Sequence, residues 1–158
     1  MPQVQTKQFG TIEYREEEAL SFPAGLPAFE DEKRFLAIER EETKPLVFLQ
    51  SLQQAELCFV TLPLLLVEPD YRLAVSAEDL RILGLTDFAA RGEQPQLGRD
   101  VRALVIMSVT NSRPTANLLA PVLIRNSSRN GVVSLAVQAI RMDSRYTHEQ
   151  VWEGPRCS

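Results

Sequence analysis

The sequence predicts a mostly β protein: a small antiparallel β-barrel or sandwich with one or two short helices. Three observations carry that expectation. Apolar stretches of strand length recur along the chain, most of them rich in β-branched or aromatic residues. Turn-forming residues separate them. One segment alone carries helical punctuation at both ends. With 158 residues, the chain reads as one domain over 1–158, long enough to bury a core of its own, with a flexible tail expected from about residue 147.

The first strand signal is LSF (Leu20–Phe22), which runs into the proline- and glycine-rich segment Ser21–Asp31. RFLAIE (Arg34–Glu39), LVFLQSL (Leu46–Leu52) and LCFVTLP (Leu57–Pro63) follow. A helix is predicted in SAEDLRILGL (Ser76–Leu85), where Ser76 caps the start, Asp79 lies three residues on and Gly84 ends it. AARGEQPQLGRD (Ala89–Asp100) reads as a polar loop. VRALVIMSV, beginning at Val101, is apolar on nearly both faces and reads as a central strand. LLAPVLI (Leu118–Ile124) is expected to be an edge strand or to carry a bulge, because Pro121 has no N–H to give a ladder. In VVSLAVQA, Val133, Leu135, Val137 and Ala139 share one face, with Val132, Ser134, Ala136 and Gln138 on the other. That is the period of two of a half-buried strand. Asn130-Gly131, between these last two stretches, suits the positive φ angles of a tight hairpin turn.

Charge is distributed unevenly. From Glu13 to Glu42 there are ten acids against four bases; from Arg99 to Arg145 there are seven arginines against two aspartates. Such a split fits an acidic face and a basic face, or two solvated strand edges. The acidic stretch argues against nucleic acid as a direct partner, since phosphate contacts need clustered cations. No apolar run approaches the length of a membrane span, and the first ten residues lack the basic and apolar regions of a secretory signal. The expected setting is the cytoplasm, with no membrane partner.

Residues that carry chemistry are sparse. His148, the only histidine, lies in a polar C-terminal segment without an orienting partner in view. Cys58 sits in the apolar run LCFVTL and reads as a small buried hydrophobe, while Cys157 is the penultimate residue. That pair fits neither a disulfide framework nor a metal shell. Glycine-rich phosphate loops, dinucleotide fingerprints and nucleophile elbows are lacking. Neither catalytic residues nor a cofactor or metal are expected. Asp70 beside Tyr71, after Pro69, reads as a side-chain-capped turn or a polar contact.

Attention therefore falls on SFPAGLPAFED. Pro23 and Pro27 lower the entropy of the unfolded loop and Gly25 permits a bend. Phe22, Leu26 and Phe29 then either plug the end of the sheet or stay exposed as a preorganised apolar anchor, rimmed by Glu30, Asp31 and Glu32. Both roles can hold at once.

FGTIEY (Phe9–Tyr14), LSFPAGLPAFEDEKRF (Leu20–Phe35), FLQSL (Phe48–Leu52), EPDYRL (Glu68–Leu73), TANLLAPVLI (Thr115–Ile124) and the hairpin around Asn130-Gly131 stand in a familiar order. The chain resembles the flagellar assembly factor FliW family from Phe9 to about Ile140. It departs where Ala28 replaces the usual glycine, where Arg125 intervenes before Asn126, and where VVSLAV replaces a glutamine-bearing strand. The resemblance implies a small β-barrel-like protein without enzymatic activity, monomeric when free. It implies binding to the RNA-binding translational repressor CsrA, away from its RNA site, and to flagellin, which competes and so feeds back on its own synthesis. Phe22, Leu26, Pro27 and Phe29 are candidates for loop architecture or anchoring, and Glu30, Asp31, Asp70 and Tyr71 for a polar rim. Pro23, Gly25, Asn117, Pro121, Asn130 and Gly131 are expected to shape the fold. Two other classes stay open. One is a β-barrel ligand carrier or enzyme with an interior pocket; the other is an oligomer subunit pairing through the strand at Pro121.

Overall fold

The computed structural model describes residues 1–126 and 134–154. Each strand-length apolar stretch becomes a strand: β3 (Ala19–Ser21), β4 (Arg34–Ile38), β5 (Val47–Ser51), β6 (Cys58–Pro63), β7 (Val101–Thr110), β9 (Val122–Arg125) and β10 (Ser134–Gln138). These seven close a ring in the order β7-β6-β5-β4-β3-β10-β9 and back to β7. Neighbours in the ring are antiparallel except β3 and β10, which run parallel with Leu20 opposite Ser134. Outside the ring, β1 (Gln3–Thr6) and β2 (Gly10–Glu13) form a hairpin of their own, and β8 (Arg113–Ala116) and β11 (Gln150–Val151) extend the sheet beyond β7.

The long strand β7 organises the closure. Its first four residues pair with β9 and its last four with β8, while β6 lies along the other side at Leu104–Ile106. The central position expected for VRALVIMSV is thus observed. Asn111 and Ser112, with φ of 52° and 64°, make the tight turn into β8.

Alternation along the strands divides the apolar side chains among three clusters. Leu20, Phe35, Val47, Leu49, Leu104, Val122, Ile124 and Ala136 fill the barrel. On the outside, Ala19, Leu36, Ile38 and Phe48 are covered by Val4 and by Tyr14, at the end of the β1–β2 hairpin. Elsewhere on the outside, Leu62, Val101, Val105, Leu123 and Val137 are covered by Leu64, Leu80, Leu83 and Leu85. These come from the helical segments α1 (Leu64–Val67) and α2 (Ala77–Ile82) and the turn after α2; α3 (Thr86–Arg91) follows. Barrel closure and outer cover together exclude water from both faces of most strands.

Several expectations change in detail. Pro121 does not mark an edge: β9 pairs with β7 on one side and β10 on the other, and Pro121 stands just before its first residue, where no ladder N–H is needed. The edge-pairing oligomer therefore loses its edge. Strand β10 is not half-buried, since Ala136 and Val137 point to opposite faces and are both buried. The α2 helix forms as expected, with the Ser76 hydroxyl accepting from the Asp79 N–H. The loop after it is shorter than expected, because α3 covers Thr86–Arg91 and Gly92 ends it at φ 66°. Within 148–154, part of the expected tail is tied down: β11 pairs with β8, and the Trp152 N–H donates to the Pro114 carbonyl at 3.1 Å. The turn at Asn130-Gly131 and Cys157 lie outside the described residues.

Candidate functional site

The segment from Ser21 to Lys33 links β3 to β4, and its backbone hydrogen bonds explain its stiffness. The Phe22 N–H donates to Lys33 at 2.8 Å and the Gly25 N–H to Phe22 at 2.8 Å. Gly25 has φ of 67°, and a Cβ there would lie 2.4 Å from the Glu30 carbonyl oxygen, so only glycine fits. Leu26, Pro27, Ala28 and Phe29 form a turn closed by the Phe29 N–H on the Leu26 carbonyl at 2.7 Å. Proline second and a positive φ third, here 68° at Ala28, is the pattern of a type II turn.

The turn divides its apolar side chains between two tasks. Phe22 and Leu26 are fully buried and plug the barrel, with the Phe22 ring edge-on to Phe35 at 5.3 Å. Phe29 remains 38% exposed, resting edge-on against Phe59 at 5.6 Å. Pro23, Pro27, Ala28, Glu30 and Asp31 are exposed around it. Plug and presented tip thus coexist in one loop.

Glu32, expected on the rim, is instead buried. Its carboxylate accepts from the Ser51 hydroxyl at 3.0 Å and from the Gln54 side-chain amide. The Ser51 oxygen in turn accepts from the N–H groups of Gln53 and Gln54, each at 3.0 Å. Gln50 lies wholly buried beside them, donating to the carbonyls of Ser51, Gln54 and Ala55 while its Oε1 has no partner. This network ties the loop to the β5–β6 turn. Sequence reasoning missed it, although Gln50 and Ser51 interrupting an apolar strand were a visible signal.

Asp70 and Tyr71 part company. Asp70 is exposed and its N–H donates to the Glu68 carboxylate at 3.1 Å. Tyr71 is buried, its hydroxyl donating to the Leu118 carbonyl at 2.7 Å. Burial pushes the phenol above its ordinary range against the opposing pull of Arg141. The Arg141 guanidinium lies over the rings of Tyr71 and Tyr146 at 5.4 and 5.2 Å and donates to Asp143 at 2.5 Å. Hydrogen bonds from the Arg145 side chain and backbone hold the Asp143 carboxyl well below the usual carboxylate range. This clasp binds the C-terminal segment to the barrel wall.

The remaining positions serve the fold. The Asn117 side chain accepts from the Leu119 N–H at 3.1 Å, shaping the turn between β8 and β9. Arg125 donates to the carbonyls of Leu83 and Gly84 at 3.4 and 3.2 Å, satisfying the C-terminal end of α2. His148 is exposed, 3.6 Å from Glu149. Burial pushes the Cys58 thiol up to about 11, so it stays protonated at neutral pH. Two exposed leucines on α1, Leu65 and Leu66, were not singled out from the sequence.

Comparison with known proteins follows the same outline. Residues 3–151 match the family model described as "FliW protein". The chain is similar to a flagellar assembly factor FliW of Leptospira interrogans, 30% identical over 154 residues that span 96% of this chain and 93% of that one. It is also similar to one of Syntrophomonas wolfei, 36% identical over 140 residues spanning 87% and 80%. Among solved structures, a crystal structure of the flagellar assembly factor FliW superposes with a TM-score of 0.75 at 29% identity, covering 95% of this chain and 96% of that one.

Proposed function

This chain belongs to the FliW family, and from that membership we propose that it is a non-catalytic regulator of flagellar assembly that works by binding proteins. In this reading it captures the translational repressor CsrA away from its RNA site. It also binds flagellin, and competition between the two couples flagellin level to flagellin translation. It acts in the cytoplasm as a monomer when free.

The observation that carries the reading is the tip of the Ser21–Lys33 loop. Phe29 stands partly exposed on a loop whose Phe22 and Leu26 are locked in the barrel, with Glu30 and Asp31 beside it. A stiff apolar anchor with an acidic rim lowers the ordering cost of binding and favours encounter with a basic partner. The interior-pocket alternative finds less support. The barrel centre holds packed side chains, and the Thr61 hydroxyl there is used on the Val47 carbonyl at 2.7 Å.

Calorimetric titration with CsrA from the same organism, at two salt concentrations, tests the reading. A defined stoichiometry with affinity falling as salt rises is expected, and flagellin should displace CsrA. Phe29→Ala should weaken CsrA binding by tenfold or more, about 1.4 kcal/mol, while shifting the melting temperature little. No heat with either protein removes the proposal.

A further inference from the structure

A second surface lies between α1 and β11. There, residues 65–70 face residues 150–154 across a groove of about 890 Å³. One wall exposes Leu65 (44%) and Leu66 (53%), and the other exposes Val151 (37%) beside Trp152. Glu68, Asp70 and Glu153 line it, and among the described residues no lysine, arginine or histidine does. Apolar walls with charge of one sign only fit an apolar segment that carries cations.

The backbone of β11 adds a directional element. Strand β11 ends the sheet, with β8 as its only neighbour among the described residues. Trp152 donates to Pro114, and Gln150 and Val151 stand opposite Ala116 and Thr115. By antiparallel alternation, the N–H and C=O of Val151 then point away from β8, toward an edge that no described strand pairs. Among the described residues the Val151 carbonyl is met only by the Gln150 side-chain amide at 3.3 Å, a contact that an incoming strand can replace. Edges left bare are usually guarded by lysine or proline, and neither occurs in β11.

We infer that this groove takes an extended segment of a partner protein, in which apolar residues alternate with lysine or arginine, and adds it as a strand to β11. The apolar positions pack against Leu65, Leu66 and Val151, and the cations reach Glu68, Asp70 and Glu153. The inference deepens the protein-binding role proposed above and rests on it only for the partner's identity.

The test uses the full chain and a fluorescent, N-acetylated decapeptide in which valine alternates with lysine. Saturable binding that weakens with salt is expected. Affinity should fall tenfold or more with Leu66→Lys, with Val151→Pro, or when a central valine of the peptide becomes proline. Leu66 is exposed, so Leu66→Lys keeps the question answerable if Val151→Pro disturbs the fold. Absence of binding, equal binding of a valine–glutamate peptide, or unchanged binding by Leu66→Lys overturns the inference. Undiminished binding of the proline-bearing peptide overturns strand addition. A dimer in sedimentation that Leu66→Lys abolishes assigns the groove to a second copy and overturns it too. Titrating Leu66→Lys with the two proteins named under the proposed function separates the two ideas. Full retention of both sinks the groove alone, whereas failure of the parent chain to bind either sinks the function and leaves the peptide result standing.

Discussion

Ala28 holds a backbone conformation that its own Cβ opposes. At φ 68° the left-handed region costs an L-residue about 1 kcal/mol or more. The turn keeps it because Pro27 fixes the preceding residue and because Phe29 and Leu26 are bonded to each other across it. Ala28→Gly should therefore raise stability. The gain is expected near 0.5 kcal/mol, since glycine also frees the unfolded chain. Urea denaturation reads it directly, and a loss of stability would mean that the turn has a different conformation. Gly25 is the opposite case, because a Cβ there would meet backbone at 2.4 Å. Two neighbouring positive-φ sites thus have different tolerances, one set by strain alone and one by strain and space together.

At the scale of elements, the loop between β3 and β4 and the turn between β5 and β6 form one unit through Ser51. Its hydroxyl serves Glu32, Gln53 and Gln54 at once. Ser51→Ala leaves a buried carboxylate oxygen and two N–H groups short of a partner, an expected cost of about 1–3 kcal/mol. The denaturation midpoint should fall, and amide exchange should quicken at Gln53 and Gln54; unchanged exchange there would mean the network does not hold the turn. The sequence shows both segments but not their meeting, because Glu32 and Ser51 lie nineteen positions apart in the chain. Elements with local signals were legible in contrast: Ser76 and Gly84 bracket α2 as expected. Helix α3 was hidden because it is only six residues long and has no side-chain cap at its start.

For the whole molecule, closure is the deciding event. The ring joins β3 to β10 and β9 to β7, pairings between distant parts of the chain. Phe22 and Leu26 then seal the barrel. Phe22→Ala should cost about 3–5 kcal/mol and lower the single unfolding transition as a whole. A local loss, with the rest of the melt unchanged, would show that the loop is not part of the cooperative core. The acidic and basic halves of the sequence meet on this scale where Arg102 reaches Glu39 at 2.6 Å, and within the basic half Arg141 and Arg145 both serve Asp143. Charge read along the chain therefore overstates charge separated in space.

The sequence by itself determined the seven barrel strands, the capped helix and the rigid loop, and it carried enough ordered motifs to point to the family. Each of those signals is local: a period of two, a cap, a proline beside a glycine. What only the tertiary structure decided is non-local. Pro121 reads as an edge until closure gives β9 two neighbours, and Tyr71 reads as a rim until Leu118 accepts its hydroxyl. Leu65 and Leu66 carry no local signal of exposure, yet the fold leaves them exposed across a groove from β11. Whether an apolar residue is buried, or a strand end is paired, depends on which distant segment arrives, and that is fixed by the packing of the whole chain.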